Sequence, residues 1–384
     1  RVGLALALPL LPIVAGLTAL GTLRLIQCRL QVSPRRPAGA PASSAAGADE
    51  AADDCGMGPL GVIALRVLGR PGLWVCATAA LLTQFGIGVA YTDIIVETAG
   101  GWLPDGQEAA VRTLLFCTLC ALCLVRGLGG LAWLSAVALM VYAYMLLALA
   151  KFGALAIREG ASLTLGSALL PMRWWGLGGF LGTTISAFEG IVVGQYIFDE
   201  MQVDSVEPFK QVLVNSYLVA TTLYAFAGAF GYLAYGDGVG EVFYQSFPQS
   251  SLDVRGCEVV LCIVLLITFV LQMYPVFRFL EGAVACASAP PLGQEGRRVP
   301  CQAAAQLALR WGVVLLTSLA AVAIPGVNTI LAYVGGFCLS SIGLVLPGLI
   351  HIKLNGGDLT RLELGGDVLL ISVGLVSFAL TIVG

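Results

Sequence analysis

The residues best placed to do chemistry lie between Gly182 and Gly190, in the order G-T-T-I-S-A-F-E-G. Thr183, Thr184 and Ser186 supply hydroxyls and Glu189 a carboxylate, all inside a hydrophobic segment from about residue 174 to 198. Glu189 follows Trp175 by 14 residues and precedes Asp199 by 10. At ~1.5 Å per helical residue, that is near the middle of a bilayer. A charged carboxylate there costs at least ~2.5–3.5 kcal/mol, so it faces a cavity, finds a partner or takes up a proton. Hydroxyls beside a glycine-flanked acid are the pattern of a helix that breaks to bind a ligand. Two roles stay open for Glu189. It exchanges a proton, because burial favours the neutral acid, or it pins the unwound segment by accepting backbone N–H bonds.

Other polar side chains sit inside apolar runs. Gln84 and Tyr91 belong to L-L-T-Q-F-G-I-G-V-A-Y, followed by Asp93 and Glu97 one helical turn apart near the outer end. Both acids either line a pathway or are simply wet. Thr268 and Gln272, in I-T-F-V-L-Q-M-Y-P, are four residues apart and share one helix face. Gln84 and Tyr91 either line a pathway or hydrogen-bond between helices. Cys117, Cys120 and Cys123 make a stripe on one helix, which cannot wrap a metal ion, so they read as small packing residues. The single histidine, His351, rules out a multi-histidine metal site. The run G-L-G-G-F-L-G from Gly176 follows no strand and reads as helix packing. No metal site, cofactor motif or enzyme constellation emerges.

These side chains must be carried by membrane helices. The chain has 384 residues, of which 58% are hydrophobic and 11% charged, against about 25% charged in ordinary soluble domains. The 48 glycines suit close helix contact in a bilayer. A net charge of −3 with no basic patch excludes a nucleic-acid partner. Ten apolar runs, at about 2–23, 73–98, 110–125, 130–150, 174–198, 212–235, 257–280, 305–324, 328–350 and 367–384, are each about one crossing long. Pro9, Pro12, Pro275 and Pro347 mark kinks in them. If each run crosses once, fourteen of the twenty Lys and Arg residues fall on one side, which is then cytoplasmic. The sequence would then start on the outer side, and a cytoplasmic N-terminus would need a further span upstream. Residues 30–56 form a low-complexity linker on the cytoplasmic side.

Four stretches together resemble the amino acid/auxin permease family, in its proton-coupled and vacuolar-type branch. G-T-T-I-S-A-F-E-G resembles the family's sixth-helix pattern. L-G-R-P-G at Leu68–Gly72 with L-T-Q-F-G at Leu82–Gly86 resembles the entry to the third helix. G-Y-L-A-Y-G-D at Gly231–Asp237 resembles the seventh-helix exit, and L-Q-M-Y-P at Leu271–Pro275 the eighth-helix core. The resemblance covers nearly all of residues 60–384. It implies an all-α polytopic membrane protein with LeuT-like inverted repeats of five helices, of which family helices 2–11 are present. Residues 2–151 would be the first repeat, without its first helix and hence without half of the substrate site; 174–350 would be the second, and 367–384 an extra helix. The resemblance implies symport of a small neutral amino acid, driven by a proton or by sodium. Thr183, Thr184 and Ser186 would position the substrate backbone, and Phe188 would shape or gate the pocket. Gly190 would permit the break, Gln84, Tyr91 and Gln272 would contribute to the pocket, and Glu189 would carry the proton. A sodium site needs ~5–6 oxygens, to which Thr268, Ser340 and Ser341 are candidates. The implied location is the plasma membrane or a vacuolar or lysosomal membrane. An amino-acid sensor or a non-transporting relative is the alternative.

Overall fold

The computed structural model describes residues 2–32, 58–104, 106–124, 131–159, 173–201, 205–248, 251–287, 300–324 and 326–383. From residue 33 on, the expected linker 30–56 lies outside the described residues, as do residues 160–172 of the loop before Trp174. The described chain is all-helical, with no strand. In order its helices are α1 (Leu4–Val32), α2 (Gly58–Gly100), α3 (Glu108–Leu122), α4 (Leu131–Arg158), α5 (Leu177–Ala187) and α6 (Ile191–Glu200). Then come α7 (Val206–Tyr235), α8 (Leu252–Ala287), α9 (Pro300–Ala323), α10 (Val327–Tyr333), α11 (Leu346–Asn355) and α12 (Arg361–Val383). Two π-helical segments, Val334–Leu339 and Ser341–Val345, join α10 to α11 in one crossing.

Eight described segments are long and apolar enough to cross a membrane. The other two expected runs are α3, with 15 residues, and the α5–α6 pair, which is interrupted. The protein is therefore an integral, multi-pass membrane protein. Several helices overrun their expected spans. Helix α8 begins at Leu252 rather than 257 and ends at Ala287 rather than 280. Hydropathy marks only the length inside hydrocarbon, whereas backbone hydrogen bonding continues where side chains such as Asp253 and Glu281 turn polar. α1 runs through Pro9 and Pro12 and α8 through Pro275. Helix α2 is two helices joined at Gly69, whose φ of 76° lies in the left-handed region that favours glycine. α7 ends where the sequence places its exit, at Gly236 (φ 63°), and Arg173 pairs with Asp237 there at 2.8 Å.

Close backbone contact, rather than apolar burial, selects the packing in lipid. α5 lies against α10 and the first π segment. A methyl group added to Gly335 would overlap the Gly182 carbonyl oxygen, and one added to Gly182 would overlap the Ala332 carbonyl oxygen. The glycines at these two positions therefore let two main chains touch. The buried side chains form two large clusters. One gathers α1, α2, α5 and the π-helical crossing; the other gathers α2, α4 and α8. Tyr91 packs against both and sits at their seam.

Candidate functional site

Helix α5 stops at Ala187, three residues short of where α6 begins. Phe188 still donates its N–H to the Thr184 carbonyl at 3.2 Å, but Glu189 turns tighter and donates to Ser186 at 3.2 Å. The Gly190 carbonyl then accepts the Gly194 N–H at 2.6 Å, the first bond of α6. The Ala187 and Phe188 carbonyls are thus left at an interior helix end, where unpaired backbone groups cost several kcal/mol. Two tyrosines of α7 satisfy them. Tyr224 donates to the Ala187 oxygen at 3.2 Å and Tyr217 to the Phe188 oxygen at 3.1 Å. The Phe188 ring stacks on Tyr217 (centroids 5.6 Å apart, 15° between planes) and meets Tyr224 edge-on at 5.5 Å.

Glu189 projects from this break. It is half-buried, and its carboxyl faces the side-chain amide of Gln272 on α8. The Gln272 amide also donates to the Gln84 side-chain oxygen on α2. Among the described residues no Lys or Arg pairs with Glu189. Tyr91 and Tyr217 lie within electrostatic reach of Glu189, and Tyr142 and Tyr224 within reach of Tyr91. A small cavity touches Glu189, Phe188, Gly190 and Tyr217, and is closed by Thr18 and Thr22 of α1 and by Leu339 and Gly343. It offers about 10 Å³ to the centre of a water-sized sphere, which is the space of about one water. A separate groove of about 460 Å³ is lined by Phe180, Tyr224, Asp237, Glu241 and the start of α1.

Of the residues singled out in the sequence, Glu189, Gln272, Gln84 and Tyr91 come together, and Phe188 and Gly190 line the cavity. The three α5 hydroxyl residues are placed otherwise. The Ser186 hydroxyl donates to the Leu331 carbonyl at 2.7 Å, across the contact with α10. Thr183 and Thr184 lie further back on α5, away from the cavity walls. Thr268, Ser340 and Ser341 each donate to a carbonyl four residues back on their own helix. Glu97 is exposed, whereas Asp93 is half-buried and lies near the Gly326 backbone N–H. Sequence reasoning missed Tyr217 and Tyr224. Their spacing of seven on an apolar span puts two polar-tipped rings on one face, which was the available signal. It also missed Thr18 and Thr22.

Another enclosed acid pairs with α1 just past Thr22. Asp367 of α12 is fully buried. Arg24 Nε reaches its Oδ1 at 3.2 Å and His351 Nδ1 its Oδ2 at 2.6 Å. Arg24 also bonds Gln27 at 3.2 Å and approaches Glu363 at 3.6 Å. This cluster ties α1, α11 and α12 together.

Comparison with known proteins agrees with this architecture. Residues 1–384 match the family model described as transmembrane amino acid transporter protein. Amino acid transporter AVT3B of Arabidopsis thaliana is 28% identical over 203 residues, 51% of this chain and 43% of that protein. Vacuolar amino acid transporter 4 of Saccharomyces cerevisiae is 27% identical over 247 residues, 60% of this chain and 33% of that protein. Proton-coupled amino acid transporter-like protein pathetic of Drosophila melanogaster is 24% identical over 278 residues, 71% of this chain and 55% of that protein. The chain thus spans about half the length, or less, of these relatives. The broken helix, the polytopic all-α fold and the match along the whole chain lead to one family: the chain belongs to the transmembrane amino acid transporter protein family.

Proposed function

We propose that this protein carries a small neutral amino acid across the membrane as a proton symporter, with Glu189 as the proton-carrying group. The observation that carries the reading is the placement of Glu189. It stands at an interior helix break, facing the neutral amide of Gln272 and paired with no cation among the described residues. A charged acid at that depth costs at least ~2.5–3.5 kcal/mol, and a proton removes the cost. The acid is therefore suited to load a proton on one side and release it where water reaches the break. The carbonyl end of α5 carries partial negative charge and suits an ammonium group; the start of α6 presents N–H groups and suits a carboxylate. A zwitterion has both charges.

The family membership supports amino acid transport, and the names of the Drosophila and yeast relatives support proton coupling and a vacuolar membrane. In this reading α1–α4 belong to the first repeat, α5–α11 form the second, and α12 is an added helix. The cavity holds about one water, so the conformation is closed and substrate entry requires the break to open.

The test is uptake of tritiated neutral L-amino acids by the protein in sealed vesicles under an imposed pH gradient. Uptake that collapses with a protonophore and persists when sodium is replaced by a large organic cation is expected. Uptake that follows sodium and ignores the protonophore would overturn the proton reading. Binding without any uptake would favour a sensor.

A further inference from the structure

We propose that Tyr217 and Tyr224 are positioning residues that clamp the break closed, occupying the two carbonyl oxygens that a substrate ammonium group takes when they withdraw. This inference rests on the amino acid transport reading and deepens it. The Ala187 and Phe188 carbonyls have no helical partner because the chain turns away at Glu189. In the closed form each is satisfied by one tyrosine hydroxyl, at 3.2 and 3.1 Å. Oxygens at a helix C-terminus, beside a carboxylate, are the surroundings of a cation. A hydroxyl is the neutral stand-in for it.

Two observations make the clamp removable. First, both tyrosines lie on one face of the single helix α7, seven residues apart, so one small movement of α7 withdraws both hydroxyls. Second, the site is full while the clamp holds. The Tyr217 oxygen lies 3.3 Å from where a Cβ on Gly190 would stand, and the cavity it borders has room for about one water. Tyr224 lines the groove of about 460 Å³, Tyr217 lines the cavity, and the Phe188 ring touches both tyrosines. Withdrawing the tyrosines therefore also frees Phe188, and space and acceptors become available together.

The clamp makes a prediction with a sign that a merely supporting role does not share. Tyr217→Phe keeps the ring and removes the hydroxyl. The closed form then loses a hydrogen bond that the substrate-bound form never had. The half-saturation concentration should fall by about two- to tenfold, the range one net hydrogen bond gives, and the maximal rate should fall because reclosure is weaker. The probes are tritiated L-alanine, L-proline, L-leucine and L-glutamine, with the full chain in vesicles. Tyr224→Phe, at the more exposed ring, gives the same test if Tyr217→Phe folds poorly. An unchanged or higher half-saturation concentration at normal protein level would overturn the clamp. A second readout needs no transport. Hydrogen–deuterium exchange of the segment 184–194 should quicken by about two- to tenfold in Tyr217→Phe. Wild-type protein that takes up none of the four probes would count against the transport reading, while unchanged exchange in that segment would overturn the clamp by itself.

Discussion

Two of the acids enclosed by the described helices, Glu189 and Asp367, differ in their neighbours. Glu189 sits at the helix break, touched by the amide of Gln272, with no cation beside it among the described residues. Asp367 is buried at the start of α12 with Arg24 on one oxygen and His351 on the other. Both are surrounded by packed helices, and enclosure alone does not assign their roles. The partner set does. A carboxylate with a basic side chain on each oxygen cannot release them without leaving them buried and unpaired, which makes it a fastener. A carboxylate held by a neutral amide keeps its surroundings satisfied with or without a proton, which makes it an exchangeable site. The same difference shows in the backbone. Asp367 joins helices that run unbroken through it, whereas Glu189 lies where the main chain has been handed over to the side chains of α7.

Breaking the fastener should produce the largest loss of stability. Asp367→Asn strands Arg24 and should cost about 3–5 kcal/mol, read as a lower unfolding temperature in detergent. His351→Leu leaves Asp367 with Arg24 and should cost less, about 1.5–3 kcal/mol for one charged hydrogen bond, on the same measurement. At the break, Gln272→Leu leaves the buried Gln84 without its partner. It should cost about 1–3 kcal/mol, and it should also slow uptake, which the two changes at the fastener should do only in proportion to protein lost. Glu189→Gln should change stability by no more than about 1 kcal/mol, because an amide can take the place of the acid beside Gln272. A Glu189→Gln protein that melts like Asp367→Asn would erase the distinction between the two acids.

The sequence showed one of these acids and not the other. Glu189 stood out because it interrupts an apolar run beside Gly190 and three hydroxyls, a local pattern that survives without coordinates. Eight of the ten expected crossings were legible for the same reason, since hydropathy is a property of the segment itself. Asp367 begins the last apolar run and gave no such signal, because its meaning depends on Arg24, 343 residues away, and His351, 16 away. The bond between Gln84 and Gln272 spans 188 residues; each was singled out for its polarity, but not their pairing. Ser186 shows the converse. Its place in the motif suggests a ligand contact, yet its hydroxyl is engaged by the Leu331 carbonyl, on a helix that only the fold brings near. The α7 tyrosines escaped notice because an aromatic ring in a membrane span reads as packing until an unpaired carbonyl is found within reach of its hydroxyl.

The most direct test of the central claim, that Glu189 carries the proton, is amino acid uptake by wild-type and Glu189→Gln protein between about pH 5 and about pH 8. Vesicles should contain equal amounts of folded protein. The wild type should be stimulated as the source side becomes more acidic, while Glu189→Gln should show a flat profile and no uphill accumulation under a pH gradient. A Glu189→Gln protein that retains both the acid stimulation and the accumulation would contradict the account and leave Glu189 as a structural pin of the break.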